Sequence, residues 1–285
     1  MERDEVTVLN DEPDFDFLEN KTLVIRRQIL EMISSVGSGH PGGSLSCVEI
    51  LTTLYFHTMN IDPDRPRWND RDRFVLSKGH AAPALYATLA EKGFFSLKDQ
   101  KPLRSIGSNL QGHPDRHRLP GIDASTGSLG NGLSIGLGIA LAGKLNDQNY
   151  KTYVLLGDGE CNEGLIWEAA MAASHHKAEN LIAVIDRNGL QIDGPTEQVM
   201  GLEPLARKWE SFGWHVLQVD GHDMKALISA FEQAKQHRHQ PSVIIAHLIK
   251  GSGVSYMEWV ASFHGKPPNH EELTSALQEL SKGYK

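Results

Sequence analysis

Cysteine is nearly absent from this chain of 285 residues: Cys47 and Cys161 are the only two. Two thiols build neither a disulfide framework nor a cysteine-rich zinc site. Long apolar runs are missing too, and with them any stretch able to cross a bilayer as a helix. The amino terminus, MERDEVTVLNDEPDFDFLEN, is acidic and has no hydrophobic core. It therefore reads as a flexible arm or surface wrap over residues 1–20 rather than a secretory leader. Basic charge is in short supply, with 28 Lys and Arg against 36 Asp and Glu and a formal charge of -8. Scattered as they are, those cations make no nucleic-acid stripe. Neither a G-x-G-x-x-G at a strand–helix junction nor a Walker A loop is present, which disfavours a dehydrogenase or nucleotide triphosphate site. These absences point to a soluble, cytoplasmic protein with no nucleic acid and no membrane among its partners.

What is present is a strand–helix alternation. Helices are expected over Leu23–Val36, Ser46–Phe56, Pro83–Lys92 and Leu129–Lys144, with a short strand at Phe74–Leu76. Strands at Tyr153–Leu156, Leu181–Ile185, His215–Val219 and Val243–His247 then alternate with helices at Gly164–Lys177, Pro204–Phe212, Met224–Gln236 and Glu271–Leu280. Such alternation predicts an α/β fold, a mostly parallel sheet flanked by helices with an N-terminal helical elaboration. No composition shift divides residues 21–285, so they read as one domain.

The densest information lies in VLLGDGECNEGLIWEAAMAASHHKAENLIAVIDRNGLQIDG. Two apolar strands end on Asp158 and Asn188, where open α/β sheets bind ligands and helix N-termini favour phosphate. Their oxygens suit a hard cation, Mg2+ or Ca2+, whose shell a diphosphate completes. Gly157 and Gly159 leave room for a sharp turn and a bulky anion. Either motif alone also reads as a turn.

Histidines recur beside Gly or Pro in loops: His40 in SGHPGGS, His80 in SKGH, His113 in QGHPD and His264 in FHGKP. Loops at strand ends aim side chains at ligands, and imidazole exchanges protons near neutrality. Taken singly, each also reads as a cap or a solvated side chain. Fourteen histidines in all leave a His–carboxylate metal site open. The glycines of residues 130–143 also serve close helix packing.

GDG followed about thirty residues later by Asn resembles the thiamine diphosphate motif, and ECNEG with IWEAA resembles its transketolase form. DASTGSLGNG resembles a further segment of that family and brings Gly130 into the cofactor site. The resemblance implies that Asp158, Asn188 and the Leu190 carbonyl ligate Mg2+ (or Ca2+), and that Gly159 donates its amide to the diphosphate of thiamine diphosphate. Family members often carry Ile in place of Leu190, where only the carbonyl is needed. By the same resemblance His80 and His264 lie near the diphosphate. His40 lies near the donor carbonyl and hydroxyls, and His113 near the substrate C1 hydroxyl. Glu163 belongs to a carboxylate pair linking two cofactor sites across a dimer, and Glu168 is another interfacial carboxylate. As residues alone, both also read as charge favouring a helix N-terminus.

The activity implied is reversible transfer of a two-carbon ketol group from a ketose phosphate to an aldose phosphate, as in pentose phosphate metabolism. Breaking a carbon–carbon bond beside a ketose carbonyl needs an electron sink, which thiamine diphosphate provides. His40, His113 and His264 are the candidate acid–base groups, each worth on the order of 10²-fold or more. The motifs match only the family's diphosphate domain. The implied partner is a separate transketolase C-terminal subunit carrying the pyrimidine-binding domain, in a 2+2 heterotetramer that takes sugar phosphates. Two alternatives stand beside this: a subunit of another thiamine-dependent ketol transferase, such as one acting on apulose 4-phosphate, or a non-catalytic cofactor-binding assembly subunit.

Overall fold

A computed structural model describes residues 13–283, so residues 1–12 of the expected acidic arm lie outside the described residues. Residues 15–20 are already helical. Asp14 caps α1 (Phe15–Val36), its carboxylate accepting the Phe17 N–H at 2.9 Å, and Gly37 closes the helix in the left-handed region. The helix expected over Ser46–Phe56 is instead broken into α2 (Pro41–Leu45), α3 (Val48–Thr53) and a π turn at Leu54–Thr58. Pro41 starts the first of these in the position where its missing N–H costs nothing.

The remaining helices are α4 (Ala82–Lys92), α5 (Asn131–Leu145), α6 (Gly164–His175), α7 (Thr196–Val199), α8 (Leu205–Ser211), α9 (Met224–Gln236) and α10 (His270–Ser281). Capping explains the ends of the last two: Asp223 accepts from Lys225 and Ala226, and Asn269 with Glu272 forms a capping box.

Strands β1 (Arg73–Leu76), β2 (Thr152–Gly157), β3 (Leu181–Arg187), β6 (His215–Asp220) and β7 (Ser242–His247) form one parallel sheet in the order β1-β2-β3-β7-β6. A small hairpin of β4 (Leu190–Gln191) and β5 (Gly194–Pro195) follows β3, where the sequence pattern predicts only a loop. Each central strand is apolar on both faces. Tyr153 and Leu155 of β2 enter the core beneath α1, α4 and α9, whereas Val154 and Leu156 enter the core beneath α5, α6 and α8. The glycines of α5 do serve packing: a Cβ on Gly136 would stand 2.3 Å from the Val154 side chain. This close approach sets α5 directly on the sheet and brings its N-terminus beside the ends of β1 and β2.

Candidate functional site

The carboxyl ends of β1, β2, β3 and β7 open on a single crevice. From β1 comes Lys78, fully buried, whose Nζ donates to the Gly43 carbonyl at 2.7 Å and ion-pairs with Asp186 at the end of β3. Ser46 donates to the same Asp186 carboxylate at 2.5 Å, and Asn188 Nδ2 to its other oxygen at 3.1 Å. Burial works against the Lys78 charge, but the Asp186 carboxylate outweighs it and raises the Lys78 pKa. Lys78 is therefore a cation at neutral pH.

Asp158 follows β2. Its Oδ2 accepts the Gly189 N–H at 2.6 Å and the Arg187 guanidinium at 3.1 Å, while Oδ1 accepts the Gly159 N–H at 2.8 Å. Asp158 and Asn188 thus face one crevice, as the motif spacing predicts. Arg187 also donates to Thr196 at 2.7 Å and to Glu197 and Glu203 at 3.1 Å, tying this carboxylate to α7 and the segment after it. Gly157 and Gly159 do not make the sharp turn expected of them, since neither has positive φ. Gly159 is small for another reason: a Cβ there would meet Gln191 at 3.0 Å.

Glu160 gathers the loops from below. Its buried carboxylate accepts the Ser77 hydroxyl, the Gly130 N–H at 2.9 Å and the Gly157 N–H at 2.9 Å, so it joins the ends of β1 and β2 to the start of α5. Gly130, at φ +86°, lies where a Cβ would come within 2.9 Å of Glu163. Glu163 itself is exposed at the start of α6, away from the histidines, and Glu168 is exposed farther along that helix.

Three of the four loop histidines meet. Ring centroids of His40, His80 and His264 lie 5.3, 5.3 and 5.1 Å apart. His113 stands beside Gly127, its ring 3.2 Å from where a Cβ would be, and is exposed. Burial, then Arg104, brings His40 down to about 4; burial, then Lys250, brings His264 down to about 3. Both are neutral at pH 7. Lys250 Nζ lies 3.0 Å from His264 Nδ1 and donates to the Leu190 carbonyl at 2.9 Å. Burial and Lys78 lower Lys250 to about 8, which leaves it mostly charged at neutrality. A charged ammonium has no lone pair, so His264 Nδ1 accepts and Nε2 carries the proton. Arg104, 3.4 Å from His40 Nδ1, imposes the same tautomer there.

The expected ligands are therefore brought together, and Lys78, Arg104, Glu160, Arg187, Gln191 and Lys250 join them beyond the sequence expectation. Two of these stand inside the motifs SKGH and ECNEG, where nothing in the letters alone marks them out. Among the described residues no group of three His, Cys, Asp or Glu side chains is placed to hold a metal. Asp158, the Asn188 amide oxygen and the Leu190 carbonyl fit a hard cation only if an anion supplies more oxygens. The crevice suits such an anion: two buried ammonium groups face it, and Gln191 Nε2 is a buried donor without a partner among the described residues.

Known proteins carry the same arrangement. The chain is 48% identical over 257 residues to one of the two-letter-designated apulose-4-phosphate transketolase subunits, that of Phocaeicola vulgatus, covering 90% of this chain and 91% of that one. It is 47% identical to the 6-deoxy-6-sulfo-D-fructose transketolase subunit SqwG of Clostridium sp., covering 93% and 96%. Campylobacter jejuni transketolase superposes with a TM-score of 0.89 at 32% identity, over 94% of this chain but 43% of that longer chain. Residues 19–284 match the family model described as transketolase, thiamine diphosphate binding domain. With fold, crevice and relatives in agreement, this chain belongs to the transketolase family, as its thiamine diphosphate-binding domain.

Proposed function

We propose that this chain is the diphosphate-binding subunit of a split thiamine diphosphate-dependent ketol transferase whose donor is a specialised ketose carrying an anionic group, phosphate or sulfonate, rather than an ordinary pentose phosphate. The expectation of a general transketolase gives way to its alternative because the two subunit relatives, at 48% and 47% identity, are named for apulose 4-phosphate and 6-deoxy-6-sulfofructose. The observation that carries the reading is the crevice, where Asp158, Asn188 and the Leu190 carbonyl sit beside buried Lys78 and Lys250.

In this reading Asp158, Asn188 and Leu190 hold Mg2+, while Lys78, Lys250, His80 and Gly159 balance and bind the diphosphate. Bound there, thiamine diphosphate supplies the electron sink for carbon–carbon cleavage. His40 and His264, neutral and with Nε2–H outward from their cationic neighbours, donate hydrogen bonds to ketose oxygens as charge develops. Neutrality also lets them return a proton without first shedding one. His113 serves the far side of the same substrate.

A separate subunit completes the site. Around the crevice Leu165, Ile192, Met200 and Trp259 are exposed by 38, 67, 61 and 60%. Each is tied to a site loop: Trp259 lies 3.9 Å from the Gly189 Cβ position, and Asn162 bonds the Met200 carbonyl at 3.4 Å. Large apolar rims of this kind are interface material. An arrangement of two copies of each chain places Glu163 at the central contact.

The test is ketol transfer by this chain mixed with the product of the adjacent reading frame, assayed with apulose 4-phosphate, 6-deoxy-6-sulfofructose and a common ketose phosphate as donors. Turnover should need both chains, thiamine diphosphate and Mg2+, and should be fastest with one of the first two donors. A preference for the common donor would restore the general transketolase, and full activity of the isolated chain would remove the split site.

A further inference from the structure

A second site lies apart from the crevice. A cavity of about 760 Å3 shares no residue with it and is lined by Arg67, Arg71, Arg116, His117 and Arg118, with Asp123 the one carboxylate among the described residues of its wall. Arg71 and Asp123 neutralise each other in a two-pronged pair, and Arg71 also donates to the Pro66 carbonyl at 2.7 Å and the Asp72 carbonyl at 2.8 Å. That pair is therefore a fixed wall. The other guanidiniums are not matched in this way. Arg118 has only a loose approach to Asp115, 3.6 Å, and among the described residues Arg67 and Arg116 form no ion pair.

Excess positive charge gathered in a concavity is unusual in a chain of net charge -8. Solvated arginines spread apart cost nothing, but converging ones repel, and low-dielectric walls concentrate their field on whatever enters. The backbone carrying them is pinned. Arg116 N–H donates to Ser125 at 3.1 Å, His117 N–H to the Asp115 carboxylate at 2.9 Å, and Arg118 N–H to the Asp115 carbonyl at 3.1 Å. Gly121, at φ +84°, then turns the chain against Leu89 and Phe94, where any Cβ would clash at 2.6 and 2.9 Å. Leu119 and Ile122, both buried, close the floor with apolar surface. Guanidinium forks match phosphate oxygens two at a time, and a preorganised set loses little freedom on binding.

We propose that this cavity is a binding site for a small phosphate ester, distinct from the cofactor and substrate crevice. Phosphate oxygens accept from Arg67, Arg116 and Arg118, and the organic part rests on the Leu119–Ile122 floor. The segment is continuous with His113, two residues before Asp115, so occupancy also steadies one of the crevice histidines. This inference does not depend on which ketose the crevice takes.

The test follows the histidine imidazole resonances of the full chain by NMR during titration with pyrophosphate. His117 reports this cavity, while His80 and His264 report the crevice, so the two responses separate. A saturable His117 shift is expected, with a dissociation constant of about 1 mM or tighter at low salt. R67A/R116A, which removes two exposed side chains outside any ion pair, should weaken it by about tenfold or more, and R116K by less because the charge stays while the fork is lost. The crevice response should persist in both variants. A His117 shift that never saturates, that equal ionic strength of chloride reproduces, or that R67A/R116A leaves unchanged would overturn the site. So would saturation seen only with an acidic peptide or an oligonucleotide.

Discussion

The sheet and the crevice at its carboxyl edge are built on opposite principles. Along β2, β3 and β7 every buried residue on either face is apolar except Thr152, Asp186 and Ser242, and neighbours touch at fixed register. One missing methylene there is a local loss. In the crevice, buried charges from segments far apart in sequence cancel one another: Lys78 with Asp186, Arg187 with Asp158, and Glu160 with three donors. Removing one member leaves another stranded. The difference predicts that polar changes at the crevice exceed truncations in the sheet.

The largest effect should come from Asp186→Ala. It leaves Lys78 charged and fully buried, and breaking a buried pair from one side costs about 3–5 kcal/mol. By contrast Ile182→Val in the core of β3 should cost about 0.5–1.5 kcal/mol. Urea unfolding of both variants measures the contrast, and K78M/D186L sharpens it. With both charges gone, stability should recover most of the loss while affinity for thiamine diphosphate does not. Equal cost for D186A and I182V would erase the distinction.

Asp158→Ala comes next. Calorimetry should show thiamine diphosphate and Mg2+ binding weakened by at least about tenfold, since phosphate charge then lacks its metal bridge. Folding should suffer less than in D186A, because Arg187 keeps Glu197 and Glu203 as partners. Unchanged affinity would remove Asp158 from the metal site. Glu160→Gln should cost about 1–3 kcal/mol of stability, because an amide presents N–H hydrogens where Ser77, Gly130 and Gly157 already donate. A neutral result would mean that Glu160 is protonated in the folded chain.

This contrast also explains what the sequence can reveal. Apolar runs at Leu181–Ile185 and Val243–His247 mark the strands because period and burial are local properties. Asp158, Asn188 and the three clustered histidines are legible because Gly-flanked motifs mark loops at strand ends. Lys78 and Lys250 are not, since a lysine in SKGH or LIKGSG looks solvated until Gly43, Asp186 and Leu190 are seen to enclose it. The break at Leu45–Val48 and the β4–β5 hairpin escape a reading of the sequence for a related reason: tertiary contact overrides propensity in short elements.

Acid should expose the same stranded charges. His40 and His264 have folded pKa values depressed to about 4 and about 3, from an ordinary 6.5. The unfolded chain therefore binds more protons than the folded one between those values, and stability increases with pH across that window. Their contribution is complete above pH 6.5 and is lost progressively as pH falls through it. Thermal melting of wild type and H264Q from about pH 7 to about pH 4 checks this: the variant should lose less on acidification. Parallel curves would mean that His264 is protonated in the fold at little cost.

The smallest effect on the chain itself should come from Glu163→Gln. Glu163 lies on the exposed rim, not among the matched charges, and its side chain makes no capping bond at the start of α6. What it gives the helix is a favourable charge near the positive end of the dipole, about 0.3–1 kcal/mol where exposed. Urea unfolding of isolated E163Q should therefore stay within about 1 kcal/mol of wild type. Its neighbours Gly130, Leu165 and the rest of the apolar rim lie where a second subunit would cover them, and covering removes water from the carboxylate. Once desolvated there, it must find a partner or a shared proton, so assembly is where its loss should register. Sedimentation of the mixed subunits should show E163Q assembling less tightly, or at a shifted pH. A large folding defect in the isolated chain would move Glu163 into the charge-matched class, and normal assembly at every pH would take it out of the interface.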